Sequence, residues 1–296
     1  MGNSALLLIT IAIEPSTAHD WGRMADALAQ LTSDDDLLHC SIDRESRQIV
    51  VGGMSEAQLQ DALTRLDREF YVKVNAGPPQ VSYRETITKA IEQDHTHKLD
   101  IGAPDVSARL RIRFEPLPTS SDFSFGRVEA GDKLLYEIAS TVEAGLMAAK
   151  ESGPVAGYPM IGIRATLIDA ERRDARMPLA AFRFAAAACY REAVPKARPA
   201  LLEPIMTAEV ATPETYMGNV IGDLNSRRGQ IAGMESRADE RIITAKVPLA
   251  NLLGYEHSLN SLTQGEGSFA VTFSQWEPPP RSFDGPPFRP AIGMRA

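Results

Sequence analysis

The two ends of this 296-residue chain show the same order of helix-like and strand-like sequence patterns. Residues 6–76 and residues 203–275 each predict a strand, a helix, two strands, a second helix and a last strand, because apolar positions recur with the period of each element. A β-α-β-β-α-β order is typical of the ferredoxin-like fold. The chain is therefore predicted to be an α+β protein that contains this fold twice, once near each end.

The first predicted unit starts with a mostly apolar strand at 6–13, followed by a helix at 17–31. The residues expected on the buried stripe of that helix are Trp21, Met24, Ala25, Leu28 and Leu31. Ser55 is the expected N-cap of the second helix, because its hydroxyl can accept a hydrogen bond from a free backbone N–H. Residues 71–74 are predicted to form the last strand of this unit.

In the second predicted unit, Thr212 is the expected N-cap of the first helix and Pro213 its first residue. Arg227, Arg228 and Gly229 are predicted to end that helix, with two cations at its negative end and glycine just beyond it. A later helix at 249–262 is expected to break near Gly254. These signals predict that the unit contains two helices in addition to its four strands.

Between the two units, residues 79–199 predict a mixed α/β domain. Its clearest strand, at 109–114, alternates strictly between apolar residues and arginines. The apolar residues Leu110, Ile112 and Phe114 are expected in a core, and the arginines Arg109, Arg111 and Arg113 on the opposite face. That arginine face is either the solvated side of a sheet or a surface that binds RNA phosphates.

Charge and cysteine content limit the class of protein. A formal net charge of −8 argues against a chain coated with phosphate-binding residues, but it allows a local basic tip. Cys40 and Cys189 show neither a metal-type spacing nor a disulfide framework, which favours a reduced, cytoplasmic setting. The early apolar run at 6–13 is too short to span a bilayer and lacks a preceding basic region, so no membrane span or signal peptide is expected.

The sequence contains no motif that predicts catalysis or a metal. A Gly-x-x-x-x-Gly-Lys-Ser/Thr phosphate loop is missing, so we expect no nucleotide hydrolysis by this chain and no bound cofactor. His95 and His97 share a face if their segment is extended, but a metal site would need further ligands. We therefore predict no catalytic and no metal-binding residues, and an enzyme would have to assemble its site from scattered side chains.

Long ordered strings recur along the chain and point to a family. Residues 201–206 read LLEPIM, 218–231 read GNVIGDLNSRRGQI and 247–255 read VPLANLLGY. Upstream, 77–86 read GPPQVSYRET and 153–159 read GPVAGYP. In these strings the chain resembles the carboxyl-terminal half of bacterial elongation factor G, comprising its domains III, IV and V, or a divergent paralogue of that factor.

The resemblance implies three domains. It places a ferredoxin-like domain III at 6–76, a tip domain IV at 79–199 with a fold like that of a small-subunit ribosomal protein, and a ferredoxin-like domain V at 200–277. Residues 278–296, rich in proline, glycine and arginine, are expected to form a poorly packed tail. The GTPase domain of such factors, with its GTP and Mg²⁺, has no counterpart in this sequence.

Two loops form the tip of domain IV in this family, and both differ here. One loop usually carries Gly-Gly-x-Gly-Gln after a His-Lys pair, whereas here His97 and Lys98 precede LDIGAPDVS, which keeps only Gly102 of that pattern. The other usually carries His-Asp-Val-Asp-Ser, whereas residues 173–177 read RDARM. Arginine is always charged and can bind phosphate through two hydrogen bonds, so RNA contact is expected to persist with a different geometry.

The residue types and family positions together give a set of candidates for contact with rRNA or tRNA. They are His97, Lys98, Gly102, Arg172, Arg173 and Arg176 at the tip, and Arg227 and Arg228 at the helix end. The alternative for the tip arginines is a solvated loop. The alternative for the helix-end pair is capping and favourable interaction with the helix dipole.

For the whole factor, the resemblance implies GTP hydrolysis on the ribosome that promotes movement of tRNA and mRNA. The expected partners are the ribosome and its rRNA, the A-site tRNA and mRNA, and the GTPase half of the same factor. The altered tip suggests a second function, protection of the ribosome from tetracycline, because protection proteins share this architecture. The domain V strings favour the elongation factor.

Overall fold

A computed structural model describes residues 7–42, 48–98, 107–128, 133–172, 177–237 and 240–280. From residue 281 onward, the tail expected from the sequence lies outside these described residues. Three separate sheets organise the described residues, two of five strands and one of four. Residues up to 82 together with 203–275 form one compact unit, and residues 83–202 with 276–280 form another. None of the described helices combines the length and the apolar composition needed to cross a bilayer.

The first sheet has the strand order β2-β3-β1-β4 of a ferredoxin-like fold. Its elements are β1 (Ile9–Pro15), α1 (Trp21–Asp34), β2 (His39–Ile42), β3 (Ile49–Gly53), α2 (Glu56–Arg68) and β4 (Val74–Ala76). β1 is central and antiparallel to both β3 and β4, and a short strand β5 (Gln80–Val81) also pairs with it. The predicted β-α-β-β-α-β order is confirmed. Ser55 caps α2 as predicted, since its Oγ accepts a hydrogen bond from Gln58 N at 3.2 Å.

Two local predictions in this domain are wrong. The last strand begins at Val74 and not at Tyr71, which has a φ of 56° and is 78% exposed. The chain must turn back after α2 through this left-handed residue before it can pair, and Val72 N donates to Leu66 O within that turn. Trp21, the first residue of α1, is 38% exposed. Ala25 is also exposed, and the stripe that is buried consists of Met24, Ala27, Leu28 and Leu31.

The middle sheet has the order β7-β8-β10-β9, with two helices packed against one face. Its elements are β6 (Arg84–Ile87), β7 (Ile91–Lys98), β8 (Ser107–Pro116), β9 (Phe123–Arg127), α3 (Lys133–Ala149), β10 (Ile163–Arg172) and α4 (Ala181–Ala193). Strands β7, β8 and β10 are antiparallel, whereas β9 runs parallel to β10 and is connected to it through α3. This is the predicted mixed α/β domain.

The core of this domain lies between the sheet and its helices. Leu110, Ile112 and Phe114 of β8 are fully buried there, as the alternation predicted. α3 and α4 approach closely at Gly145, where a Cβ atom would lie 2.2 Å from Arg183 O. Only a residue without a side chain fits between these two helices.

The third sheet repeats the ferredoxin-like order as β12-β13-β11-β14. Its elements are β11 (Pro199–Pro213), α5 (Met217–Ser226), β12 (Gln230–Arg237), β13 (Glu240–Pro248), α6 (Leu249–Leu252), α7 (Tyr255–Leu262) and β14 (Ser268–Glu277). The first four residues of β11 pair with β6 instead. The predicted helix break is confirmed, because Gly254 separates α6 from α7 with a φ of 69°.

The predicted start of α5 is wrong. Thr212 and Pro213 do not cap a helix, because β11 continues through both and pairs them with Arg241 and Glu240 of β13. Pairing with β13 therefore outweighs the preference of Thr212 and Pro213 for the start of a helix. A single 3₁₀ turn at Glu214–Tyr216 follows, and α5 begins only at Met217.

A cavity of about 630 Å³ lies between α2 and the α6–α7 pair. Leu249, Leu252 and Phe269 provide much of its apolar lining. At its edge Gly254 N donates a hydrogen bond to Glu56 Oε2 at 2.9 Å, which links α2 to the turn between α6 and α7.

Candidate nucleic-acid interface

Two tip candidates that lie far apart in sequence meet at one end of the middle sheet. His97 of β7 and Arg172 of β10 both pair with Ala108 of β8. Since neighbouring strands are ~4.8 Å apart, the Cα atoms of His97 and Arg172 are separated by about 10 Å. Directly paired residues point to the same face, and Ala108 between them is small and buried. We call the three residues His97, Ala108 and Arg172 the tip row.

The tip row and its neighbours offer different kinds of hydrogen-bonding group. Burial, and to a smaller extent the nearby His95, lower the pKa of His97 below its ordinary value of 6.5. His97 is therefore neutral at pH 7 and can both donate and accept. Lys98, one position further, is exposed and has no polar partner among the described residues. Arg172 Nε donates to Met177 O at 2.7 Å, which fixes the direction of its guanidinium.

The other tip candidates fall outside the described residues. Gly102 belongs to the stretch 99–106, and Arg173 and Arg176 belong to the stretch 173–176. The described strands nevertheless show where these segments attach. The ends of β7, β8 and β10 to which these two stretches are connected lie next to one another at the tip row.

The arginine-rich face of β8 is neutralised by neighbouring acids. Arg109 binds Asp94 of β7 through two nitrogens and lies 3.2 Å from Asp169 of β10. Arg111 and Arg113 both reach Glu92 of β7, at 3.6 and 3.2 Å. This geometry favours the solvated-sheet interpretation, because each guanidinium already has a carboxylate partner.

Arg227, a candidate at the end of α5, is used to hold three elements together. Its Nε donates to Asp223 Oδ2 at 2.7 Å, Nη1 to Asn251 O at 2.8 Å and Nη2 to Ser258 Oγ at 2.8 Å. The guanidinium also lies over the ring of Tyr255, 5.0 Å from its centroid. These contacts tie α5 to α6 and α7, as a structural cap would.

Arg228 is also engaged, with a buried acid. Its two terminal nitrogens donate to the two oxygens of Glu203, whose side chain is 2% exposed. The left-handed conformation that a glycine often adopts just after a helix is found here at Arg228, with a φ of 64°, and not at Gly229. Gly229 is required for a different reason, because a Cβ atom there would lie 2.5 Å from Leu224 O.

Sequence reasoning missed Glu85, a fully buried carboxylate in β6. Its Oε2 accepts a hydrogen bond from Val155 N at 2.8 Å, and its Oε1 accepts from Ala156 N at 2.8 Å and Tyr158 N at 3.0 Å. Gly153 allows this approach, since a Cβ atom there would lie 2.3 Å from the carboxylate. The sequence did contain a signal for this contact. Glu85 lies in the string at 77–86 and Gly153 in the string at 153–159, and both strings carry the family resemblance.

Sequence models for three domains of one family match successive parts of this chain. The model for elongation factor G domain III matches residues 7–78, and the model for domain IV matches residues 79–198. The model for the elongation factor G C-terminus matches residues 200–284. The three matches follow one another along nearly the whole chain.

The chain belongs to the elongation factor G family. It contains domains III and IV and the C-terminal domain of that factor, and the two ferredoxin-like folds are domain III and the C-terminal domain. A crystal structure of a protein from Thermus thermophilus is similar to it, with a TM-score of 0.74 and 31% sequence identity over 92% of this chain. The chain spans 41% of that protein's length.

Proposed function

We propose that this chain is the ribosome-binding part of an elongation factor G-type translation factor that acts in the cytoplasm. In the full-length factor it would promote movement of tRNA and mRNA, while GTP and Mg²⁺ would bind to the GTPase domain of that factor. The proposal is supported by the consecutive matches to the factor's domains III, IV and C-terminus. The pairing of both tip strands with Ala108 supports it further, since it gathers the tip residues at one end of domain IV.

The tip is proposed to contact RNA in the decoding A site. Phosphate contacts come from cations that are available to solvent, and Lys98 fits this description better than the paired arginines of β8. Gly102, Arg173 and Arg176 belong to the stretches 99–106 and 173–176, outside the described residues, and they remain proposed contacts. The C-terminal domain is proposed to meet rRNA of the large subunit, with Arg227 and Arg228 shaping its surface through their internal bonds.

Ribosome binding by the chain and by its Lys98→Ala variant tests this proposal. We expect the unaltered chain to sediment with ribosomes at moderate salt. Lys98→Ala should weaken binding about threefold and reduce the slope of log Kd against log salt by about 1, because one phosphate contact is lost. Lys89→Ala is the matched control, since this exposed lysine lies just before the other end of β7 and has no side-chain partner among the described residues.

Two outcomes would overturn the proposal. One is a chain that stays in the supernatant even when a GTPase-containing factor fragment is supplied. The other is an equal loss of ribosome affinity in Lys98→Ala and Lys89→Ala, which would show that the charge of the chain matters but the position of the lysine does not. In the full-length factor, a gain in tetracycline tolerance without any support of translocation would indicate ribosome protection instead.

A further inference from the structure

A single carboxylate on α4 contacts two alternate residues of β7, the strand that leads to the tip. Glu192 Oε1 lies 3.0 Å from His95 Nδ1, and Glu192 Oε2 accepts a hydrogen bond from Gln93 Nε2 at 3.2 Å. Residues two apart on a strand lie on the same face, about 6.6 Å from each other. Glu192 therefore spans a length of β7 that ends two residues before His97.

His95 is oriented for this contact and is nearly buried. Its side chain is 12% exposed, and its Nε2 is buried without a partner among the described residues. A carboxylate oxygen can only accept, so a separation of 3.0 Å requires the proton of the imidazole to be on Nδ1. An apolar side chain would avoid the cost of burying Nε2, so packing alone does not account for histidine at this position.

The groups around His95 make the contact specific. Next to His95, the adjacent strand β8 presents Ala108, Leu110 and Ile112 to this face, and all three are fully buried and apolar. From α4 and the turn that follows it, Cys189, Glu192 and Lys196 approach β7. Lys196 Nζ donates to Gln93 Oε1 at 2.9 Å, which holds the amide that also binds Glu192. His97 is the nearest titratable group along the strand, with ring centroids 6.3 Å apart.

Side-chain contacts also hold the opposite face of β7, at the residue next to His95. Asp94, between Gln93 and His95, binds Arg109 of β8, which also reaches Asp169 of β10. Within the described sheet, β7 is an edge strand that pairs with β8 alone. Contacts on both faces therefore supply the lateral support that a second strand would give an internal strand.

We propose that His95 and Glu192 are positioning residues that fix the distal end of β7, and thereby orient His97 and Lys98 for RNA. The second part of this inference rests on the proposed function. The first part concerns the strand alone and can be tested without a ribosome. Neither residue is among the tip candidates, and neither needs to touch RNA.

Amide hydrogen exchange of residues 94–98 tests whether the contact fixes the strand. Glu192→Leu should raise exchange there about tenfold relative to the unaltered chain, because local opening no longer has to break the contact. Glu192→Gln keeps an oxygen for His95 but cannot accept from Gln93, so it should stay within about threefold of the unaltered chain. Glu143→Leu is the control, since this exposed carboxylate on α3 has no partner among the described residues. Equal exchange in Glu192→Leu and Glu143→Leu would overturn the proposal.

A double-mutant cycle with Lys98→Ala tests the consequence for binding. If Glu192 acts by orienting the tip, Glu192→Leu should weaken ribosome binding about threefold in the unaltered chain and hardly at all in the Lys98→Ala chain. A purely structural loss would be additive in the two backgrounds, and that result would overturn the positioning role. A chain that never binds ribosomes would instead overturn the proposed function, and the exchange experiment would still decide whether His95 and Glu192 fix β7.

Discussion

Arg228 donates through both terminal nitrogens to Glu203, a buried carboxylate, from a position where its own backbone is left-handed. The side chain of Glu203 is 2% exposed and that of Arg228 is 37% exposed. The buried negative charge of Glu203 therefore depends on the positive charge of Arg228 for its stabilisation. The arginine thus combines an unfavourable backbone conformation with a necessary ion pair. The two effects can be separated by substitution.

We predict that Arg228→Ala lowers the free energy of unfolding by about 3 kcal/mol, because it leaves a buried carboxylate without a partner. Arg228→Gly should cost about 1 kcal/mol less, since glycine adopts the left-handed conformation without strain. Adding Glu203→Leu to Arg228→Gly should restore most of the loss. Urea unfolding of the three variants measures these differences. If alanine and glycine proved equivalent, the backbone at 228 would carry no strain.

Two glycines near each other in sequence should respond in opposite directions to alanine. Gly229→Ala should destabilise the chain by about 2 kcal/mol, because its Cβ would lie 2.5 Å from Leu224 O. Gly222→Ala should stabilise it by about 0.5–1 kcal/mol, since Gly222 lies within α5 and a Cβ there meets nothing within 4 Å. Thermal unfolding of both variants measures the contrast. A loss of stability in both would contradict the packing around α5.

The sequence predicted that a helix follows β11, but not the residue at which α5 begins or which residue after it is left-handed. A 3.6-residue period is a property of neighbouring residues, so Val220 and Leu224 could be assigned to the core directly. Thr212 has the chemistry of an N-cap, and only its pairing with Arg241, 29 positions away, shows that it belongs to a strand. Contacts between distant residues, which local patterns do not encode, decided this boundary.

The same distinction applies to the candidate site. His97 and Lys98 could be proposed from their family position, whereas the alignment of His97 with Arg172 across Ala108 depends on strand register. Arg109, Arg111 and Arg113 could be placed on one face from their alternation. Their carboxylate partners come from the neighbouring strands β7 and β10, so the sequence could not decide between a solvated face and an RNA-binding face.

Alkaline pH should destabilise the middle domain through Tyr158. Burial, with smaller effects from Tyr83 and Glu85, raises the pKa of Tyr158 to about 12 from its ordinary value of 10. The unfolded chain therefore loses this proton at a lower pH than the folded chain. The stability associated with Tyr158 is complete below pH ~10 and is lost as the pH rises towards ~12.

The corresponding experiment compares Tyr158→Phe with Tyr136→Phe between pH 9 and pH 11. We expect Tyr158→Phe to reduce the loss of unfolding free energy over this interval by about 1 kcal/mol. Tyr136 is 60% exposed and serves as the control, so its replacement should leave the pH profile unchanged. The two profiles would coincide if Tyr158 ionised with an ordinary pKa.

Two cations on the open face of the middle domain's sheet, Arg113 of β8 and Lys98 of β7, should differ in their contribution to ribosome binding. Arg113 is 52% exposed, but it lies 3.2 Å from Glu92, so a phosphate would have to displace a carboxylate that is already present. Lys98 has no such competitor among the described residues. We therefore predict that Arg113→Ala changes the ribosome Kd by less than about twofold, whereas Lys98→Ala reduces the salt slope by about 1.

A Glu92→Gln variant extends the comparison, since removing the acid should free Arg113 and tighten ribosome binding. If Arg113→Ala instead lowered the slope as much as Lys98→Ala, the open face of β8 would be part of the RNA-binding surface and the ion pairs there would be exchangeable.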